Sequence, residues 1–181
     1  MSSILLIRHA QSEFTGRFCG SSDPPLSPVG VAEAQALAMR LRTTPISQIY
    51  CSPLRRALMT AEAIAATREV PPTMMDALRE IDFGAWEGLT WSQIELRDRQ
   101  YAQQWIDQFP NLPAPAGEPF EIFRQRVEQA FVQIQAAHDS GTVAIVAHSA
   151  VLGVIMAYAS GKPFKSMPAL ANAAVCELSN K

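Results

Sequence analysis

Residues 4–16 read ILLIRHAQSEFTG. Four consecutive apolar residues, Ile4 to Ile7, lack the alternation of a strand with one wet face, so they fit a strand covered on both sides. That strand ends in Arg8-His9, with hydrogen-bonding side chains following at Gln11, Ser12, Glu13 and Thr15. Ligands of open α/β sheets sit beyond the carboxyl ends of the strands. A guanidinium and an imidazole at such an end therefore point toward a bound group, and the rest of the chain can be read for partners.

Two further segments have the same character, residues 48–51 and 142–147, while 72–82 and 173–178 read as additional extended stretches. Helical patterns lie between them. Ser27-Pro28 gives an N-cap and a first-turn proline before an alanine-rich run to about residue 42. Ser52-Pro53 repeats the device, and Leu54, Leu58, Ala61 and Ala65 then share one face. After Gly117-Glu118-Pro119, the spacing of Phe120, Phe123, Val127, Phe131 and Ile134 predicts a long amphipathic helix. A last helix is expected over 149–160, stopped by Gly161. Residues 84–117 hold all three tryptophans and read as a partly helical insertion. The alternation of strand and helix predicts one α/β domain over residues 1–181 with a mainly parallel sheet.

The chain of 181 residues is 48% hydrophobic, enough for one substantial core, and its formal net charge is −2. No global basic field favours nucleic acid or an anionic membrane, so any anion site must be a local cluster. Apolar runs are too short to span a bilayer, and the N-terminus lacks the pattern of a secretion signal. A cytoplasmic location is expected. Cys19, Cys51 and Cys176 are far apart with no CxxC, which suits reduced thiols.

The strand ends gather unusual chemistry. The first delivers Arg8-His9, the second is followed by Ser52-Pro53-Leu54-Arg55-Arg56, and the strand at 142–147 by His148-Ser149. Arg55 and Arg56 fall in the first turn of a helix, where the macrodipole disfavours cations by about 0.3–1 kcal/mol each. An anion nearby would offset that cost. Arg8, one of these arginines, two histidines and helix-start amides together suit a doubly charged oxyanion, with phosphate the obvious candidate. His138, at the end of a helix, reads as a solvated C-terminal residue. No HExxH or CxxC pairs with the histidines to hold zinc, and no GxGxxG, GxxxxGK[ST] or GxSxG occurs.

Four stretches, LLIRHAQSEFTGRFCG (5–20), YCSPLRRALMTAEAIA (50–65), LREIDFGAWEG (78–88) and VAIVAHSAVLG (143–153), resemble in order the motif regions of the histidine phosphatase superfamily, the phosphoglycerate mutase-like proteins. The resemblance implies a three-layer α/β/α sandwich and no metal or organic cofactor. It implies that His9 is the nucleophile that becomes phosphorylated, that Arg8, Arg56 and His148 bind the phosphoryl group, and that Glu80 is the acid/base. Arg56 matches rather than Arg55 because it directly precedes Ala57. Ser12, Thr15, Cys19, Gly20 and Ser149 complete the expected substrate- and phosphate-binding set. IDFGAWEG, then Tyr101 and Trp105, then GEPFEIFRQRV look most like the α-ribazole-5′-phosphate phosphatases of cobalamin assembly. Ala10, Thr15 and Ser149-Ala150 depart from the family pattern, which has glycine, asparagine and a glycine pair there.

The expected activity is metal-independent hydrolysis of a small phosphate monoester through phosphohistidine. A mutase-type isomerase, a broad-specificity phosphatase and a silent ester-binding module are the alternatives, and the oligomeric state is left open. Arg8 and Arg56 would lower the pKa of His9 and favour its neutral, attacking form. Glu80 must start protonated to serve a departing alkoxide, which requires a raised pKa. Asp82, Glu87 and Glu13 are the other candidate carboxylates. Trp86, Trp91, Tyr101 and Trp105 either offer a stacking surface for a flat base or anchor their segment to the sheet.

Overall fold

The computed structural model describes residues 2–138 and 140–179. Strands β1 (Ser2–Arg8), β2 (Ile46–Cys51), β3 (Pro72–Met74), β4 (Gly141–Ala147) and β5 (Val175–Ser179) form one sheet in the order β3-β2-β4-β1-β5. The first four are parallel, and β5 runs antiparallel on the edge of β1. Helices α1 (Pro28–Leu41), α2 (Arg55–Ala65), α3 (Trp91–Arg97), α4 (Arg99–Gln108), α5 (Phe120–Ala136) and α6 (Ser149–Ser160) complete the regular structure.

The apolar run of β1 now has its reason. Ile4 and Leu6 turn to one face of the sheet, where Val143 and Ile145 of β4 join them beneath Phe123, Val127 and Phe131 of α5 and Leu152 and Ile155 of α6. Leu5 and Ile7 turn to the other face, with Ala144 and Val146, under Leu37 of α1 and Ala57, Ala61 and Ile64 of α2. Side chains alternate along a strand, so a sheet covered on both sides needs every residue apolar. The result is a three-layer α/β/α arrangement with a mainly parallel sheet, as expected.

Helix starts follow the sequence unevenly. Ser27 caps α1 by accepting from the Gly30 amide at 3.1 Å, and Gly161 ends α6 at φ 66°. Ser52 is not a helix cap. Helix α2 begins at Arg55 behind Leu54, which has no side-chain cap, and Ser52 is engaged elsewhere. The buried face of α2 is Arg56, Ala57, Thr60, Ala61 and Ile64, so Leu58 and Ala65 lie at its margin. Of the 72–82 stretch only Pro72–Met74 pairs as strand, and a 3-10 turn follows at Asp76–Leu78. Strand β5 starts at Val175 rather than at residue 173, because Ala173 takes a left-handed φ of 54°. His138 does not simply face solvent: its Nε2 lies 3.0 Å from the Tyr50 hydroxyl.

Residues 84–117 carry a 3-10 turn (Gly84–Trp86), α3 and α4. Trp86, Ile94, Ala102 and Ala114 form a small separate core, against which Phe18, Trp91, Tyr101 and Trp105 pack. Phe18 comes from the loop between β1 and α1 and meets Phe83, Trp86 and Trp105 at 5.0, 5.7 and 5.7 Å between ring centroids. This aromatic cluster fastens the segment beside the carboxyl ends of β1 and β4. Among the described residues no helix is long and apolar enough to cross a membrane.

Candidate active site

His9 follows β1, and its backbone amide still donates to Ala147 at the end of β4 (3.0 Å). The imidazole is thereby fixed at the rim of the two central strands. Its Nδ1 lies 2.7 Å from the Ala10 carbonyl oxygen. A carbonyl only accepts, so Nδ1 carries the proton and the lone pair stays on Nε2. Burial pushes the His9 pKa down to about 3, and the charges of Arg56 and Arg8 push the same way. His9 is held neutral.

His148 follows β4 and packs against His9, with ring centroids 5.0 Å apart. It is fully buried, and its Nε2 sits 2.8 Å from Ser52 Oγ. Ser52 Oγ also accepts from the Leu54 amide at 3.3 Å, so it braces the entry to α2 without capping the helix. Burial, with the Arg56 charge second, holds the His148 pKa well below the usual imidazole range.

Arg56 is only 1% exposed, an extreme position for a guanidinium. Three loop carbonyls receive it: Ser22 at 2.7 Å, Gly20 at 2.9 Å and Cys19 at 3.2 Å. Arg8 donates to the Leu170 carbonyl. Among the described residues, the buried side-chain nitrogens and oxygens without a hydrogen-bond partner are Arg8 Nε, Arg56 Nε and His148 Nδ1. Buried polar groups are normally paired, and all three exceptions belong to one site. An oxyanion would satisfy them together.

Glu80 completes the group. Its Oε1 accepts from the Ile81 amide at 3.0 Å, and its Oε2 accepts from the Ala150 amide, in the first turn of α6, at 3.1 Å. Burial raises its pKa, opposed by these two amides and by the charges of Arg56 and Arg8. The segment bearing Glu80 is clamped by Arg126, which donates to the carbonyls of Ala77, Arg79 and Glu80 and pairs with Glu118 at 2.8 Å.

The other carboxylates have structural tasks. Glu87 accepts from the amides of Gly20 (3.0 Å), Ser21 (2.9 Å), Ser22 (3.0 Å) and Phe83 (2.9 Å). It therefore organises the same loop whose carbonyls hold Arg56. Asp82 accepts from the Ser21 hydroxyl and the Gly84 amide, both at 2.8 Å. Glu13 is exposed and lines no part of the cavity.

A cavity of about 430 Å³ opens over these groups, lined by Arg8, His9, Ser12, Thr15, Cys19, Arg56, Glu80 and Ser149. His148 is not among its lining residues and is fully buried against His9. Gly20 lies outside it: its amide is committed to Glu87, and a Cβ there would stand 1.9 Å from the Ile81 carbonyl oxygen. Phe14, Arg17, Phe18 and Asn172 also line the cavity, and the sequence reading did not include them. Asn172 sits in no motif, so nothing local marked it. Ser52 carried a signal that was misread, since it follows a strand end as His9 and His148 do. Among the described residues no three His, Cys, Asp or Glu side chains converge as a metal cage.

The departures at Ala10, Thr15 and Ala150 keep their polar contacts. The Ala10 amide donates to Thr60 Oγ1 (3.1 Å), Thr15 Oγ1 donates to the Ser12 carbonyl (2.9 Å), and the Ala150 amide serves Glu80.

The model of one family, described as the histidine phosphatase superfamily (branch 1), matches residues 4–181. The chain belongs to the histidine phosphatase superfamily. Within that superfamily it is 30% identical to the adenosylcobalamin/alpha-ribazole phosphatase of Salmonella typhimurium, over 90% of this chain and 81% of that protein. It is also 30% identical to phosphoserine phosphatase 1 of Hydrogenobacter thermophilus, over 82% of this chain and 72% of that one. The alpha-ribazole phosphatase structure from Shigella flexneri superposes with a TM-score of 0.92 at 26% identity, covering 99% of this chain and 91% of that chain. Bacillus stearothermophilus YhfR superposes at 0.90 with 33% identity, covering 100% and 92%.

Proposed function

We propose that this histidine phosphatase superfamily protein hydrolyses a small phosphate monoester of the α-ribazole 5′-phosphate kind, with His9 as nucleophile. The observation that carries the reading is one neutral imidazole with a free Nε2, set among three unpartnered cationic or imidazole nitrogens and facing the same cavity as a buried carboxyl.

Nε2 of His9 forms a bond to phosphorus as the bond from phosphorus to the ester oxygen breaks. Arg8, Arg56 and His148 Nδ1 take up the charge on the non-bridging oxygens. His148 donates from Nδ1 in the tautomer in which the Ser52 hydroxyl donates to its Nε2, and Ser52 Oγ, accepting from the Leu54 amide, keeps that hydroxyl proton available. Glu80, protonated through burial, gives its proton to the leaving alkoxide. The resulting carboxylate then takes a proton from water as that water attacks phosphohistidine, which frees phosphate and restores both groups.

The substrate assignment rests on the relatives, two of which carry alpha-ribazole in their names. The test is rapid quench with labelled ester, followed by steady-state comparison. Acid-labile, base-stable label should be trapped on the wild type and none on His9→Ala. α-Ribazole 5′-phosphate should exceed 3-phosphoglycerate and phosphoserine in kcat/KM by at least about tenfold, roughly 1.4 kcal/mol. Primer-dependent interconversion of phosphoglycerate isomers would make the protein a mutase instead.

A further inference from the structure

The cavity over His9 is not the whole of the concave surface. A second cavity of about 560 Å³ adjoins it, and the two share Glu80, Phe83 and Ser149 as lining residues. Its walls come from two separate stretches of chain, Ile106 and Phe109 at the end of α4 and Phe164 and Met167 after α6. The wall is built rather than incidental. Phe109 packs on Phe164 at 6.2 Å between ring centroids and on Trp105 at 4.9 Å, which ties it to the aromatic cluster of the 84–117 segment. Phe164 lies over α6 where Gly153 makes room: a Cβ at Gly153 would stand 2.8 Å from the ring. Ile106 is 50% exposed at the rim and belongs to no hydrophobic cluster among the described residues.

The position of Glu80 says what this second cavity is for, given the hydrolase reading above, on which this inference rests. The leaving oxygen of an in-line displacement lies opposite the attacking nitrogen and next to the proton donor. A phosphoryl group held by Arg8 and Arg56 over His9 sits in the first cavity, and an alcohol that takes its proton from Glu80 departs on the Glu80 side, which both cavities share. Past Glu80 lies the second chamber, whose lining is mainly apolar, with Lys165 as its one cationic side chain among the described residues. We infer that the cavity between α4 and the 164–167 segment is the leaving-group subsite and that it takes the aromatic ring of a bulky alcohol. A three-carbon alcohol would leave most of such a volume unfilled, whereas a flat ring covers the Phe109, Phe164 and Ile106 surfaces. Of the four aromatic residues weighed as a stacking surface, Trp86 is buried in the small core, Tyr101 and Trp105 pack against it and anchor the segment, and Trp91 lines the first cavity rather than this one.

The test compares 2-(1-naphthyl)ethyl phosphate with ethyl phosphate, whose alkoxides are similar in basicity, so that the ratio of kcat/KM reads contact with the ring. The wild type should favour the naphthyl ester by at least about tenfold, roughly 1.4 kcal/mol. Ile106→Asp and, from the opposite wall, Met167→Asp should each bring the ratio to within about threefold. In parallel, fluorescence titration should show 2-(1-naphthyl)ethanol binding to wild type and more weakly to both variants. A wild-type ratio near one, or a tenfold ratio that survives in both variants, overturns the subsite. Hydrolysis of neither ester, with naphthylethanol still bound by wild type alone, overturns the hydrolase reading and leaves the ring-binding chamber standing.

Discussion

Ser52 Oγ lies 2.8 Å from Nε2 of His148, joining the ends of β2 and β4 across 96 positions of sequence. The contact occupies one ring nitrogen of a fully buried imidazole and leaves Nδ1 without a partner. Its neighbour His9 keeps its proton on Nδ1, toward the Ala10 carbonyl, and burial holds the pKa of both rings down.

Both imidazoles should therefore stay neutral where a free histidine titrates. In NMR spectra recorded from about pH 8 to about pH 5, their ring signals should not shift, although an ordinary imidazole titrates near about 6.5. Folding stability follows with a definite sign. The unfolded chain gains protons on His9 and His148 below about 6.5 while the folded chain does not, so their contribution is full above that value. It is lost as pH falls toward the folded value of about 3 for His9. A ring signal of His9 or His148 titrating near about 6.5 would remove the buried neutral pair from the mechanism.

Replacing Glu80 by Gln separates proton donation from binding. Hydrolysis of an alkyl phosphate should fall by about 10²- to 10⁴-fold, the usual worth of a general acid. An aryl phosphate with a stable leaving group should lose less than about tenfold. Stability moves oppositely to the histidines: a carboxyl with raised pKa contributes fully below its unfolded value, and the contribution is lost as pH rises through the folded one. Glu80→Gln should abolish that alkaline loss. Equal damage to both substrates would assign Glu80 to phosphate binding.

Glu87 holds the loop amides of residues 20–22, and the carbonyls of Cys19, Gly20 and Ser22 in that loop hold the Arg56 guanidinium, so Glu87 should act on the proposed phosphate site through Arg56. Glu87→Gln should weaken vanadate binding about tenfold, as expected when buried donors lose a charged acceptor. In an Arg56→Ala background the same change should add less than about threefold, because the coupled residue is already gone. Additive losses would show that Glu87 merely supports the fold.

Gly30→Ala should destabilise by about 1–3 kcal/mol, although glycine-to-alanine in an exposed helix interior usually stabilises by up to about 1 kcal/mol. A Cβ at Gly30 would stand 1.9 Å from the Gln11 carbonyl oxygen, in the loop that follows His9. Denaturant melts of the two proteins decide the sign.

Turnover should survive exhaustive dialysis against a chelator, since the positive charge at the cavity comes from Arg8 and Arg56. Activity lost on dialysis and restored by a divalent ion would require a different source of charge stabilisation.

The layers and the reactive strand ends were legible in the local pattern. Short unbroken apolar runs bounded by turn signals fit strands covered on both faces, and Arg8, His9, the Arg55-Arg56 pair and His148 stand out because they follow those runs, while the choice of Arg56 over Arg55 came from the family resemblance. The Ser27 cap, the Gly161 stop and the apolar face of α5 were legible for the same reason: each depends on neighbours within about four positions. The assembled fold was needed to show that Ser52 reaches His148, that Glu87 organises the Arg56 loop, and that Trp86 is core while Ile106 is rim. It also brought Asn172 to the cavity and set Gly20 outside it. These outcomes depend on parallel crossovers that place residues tens of positions apart within hydrogen-bonding distance. A serine or a glutamate has the same local propensity whichever distant donor it meets, so its partner is settled only when the strands are laid side by side.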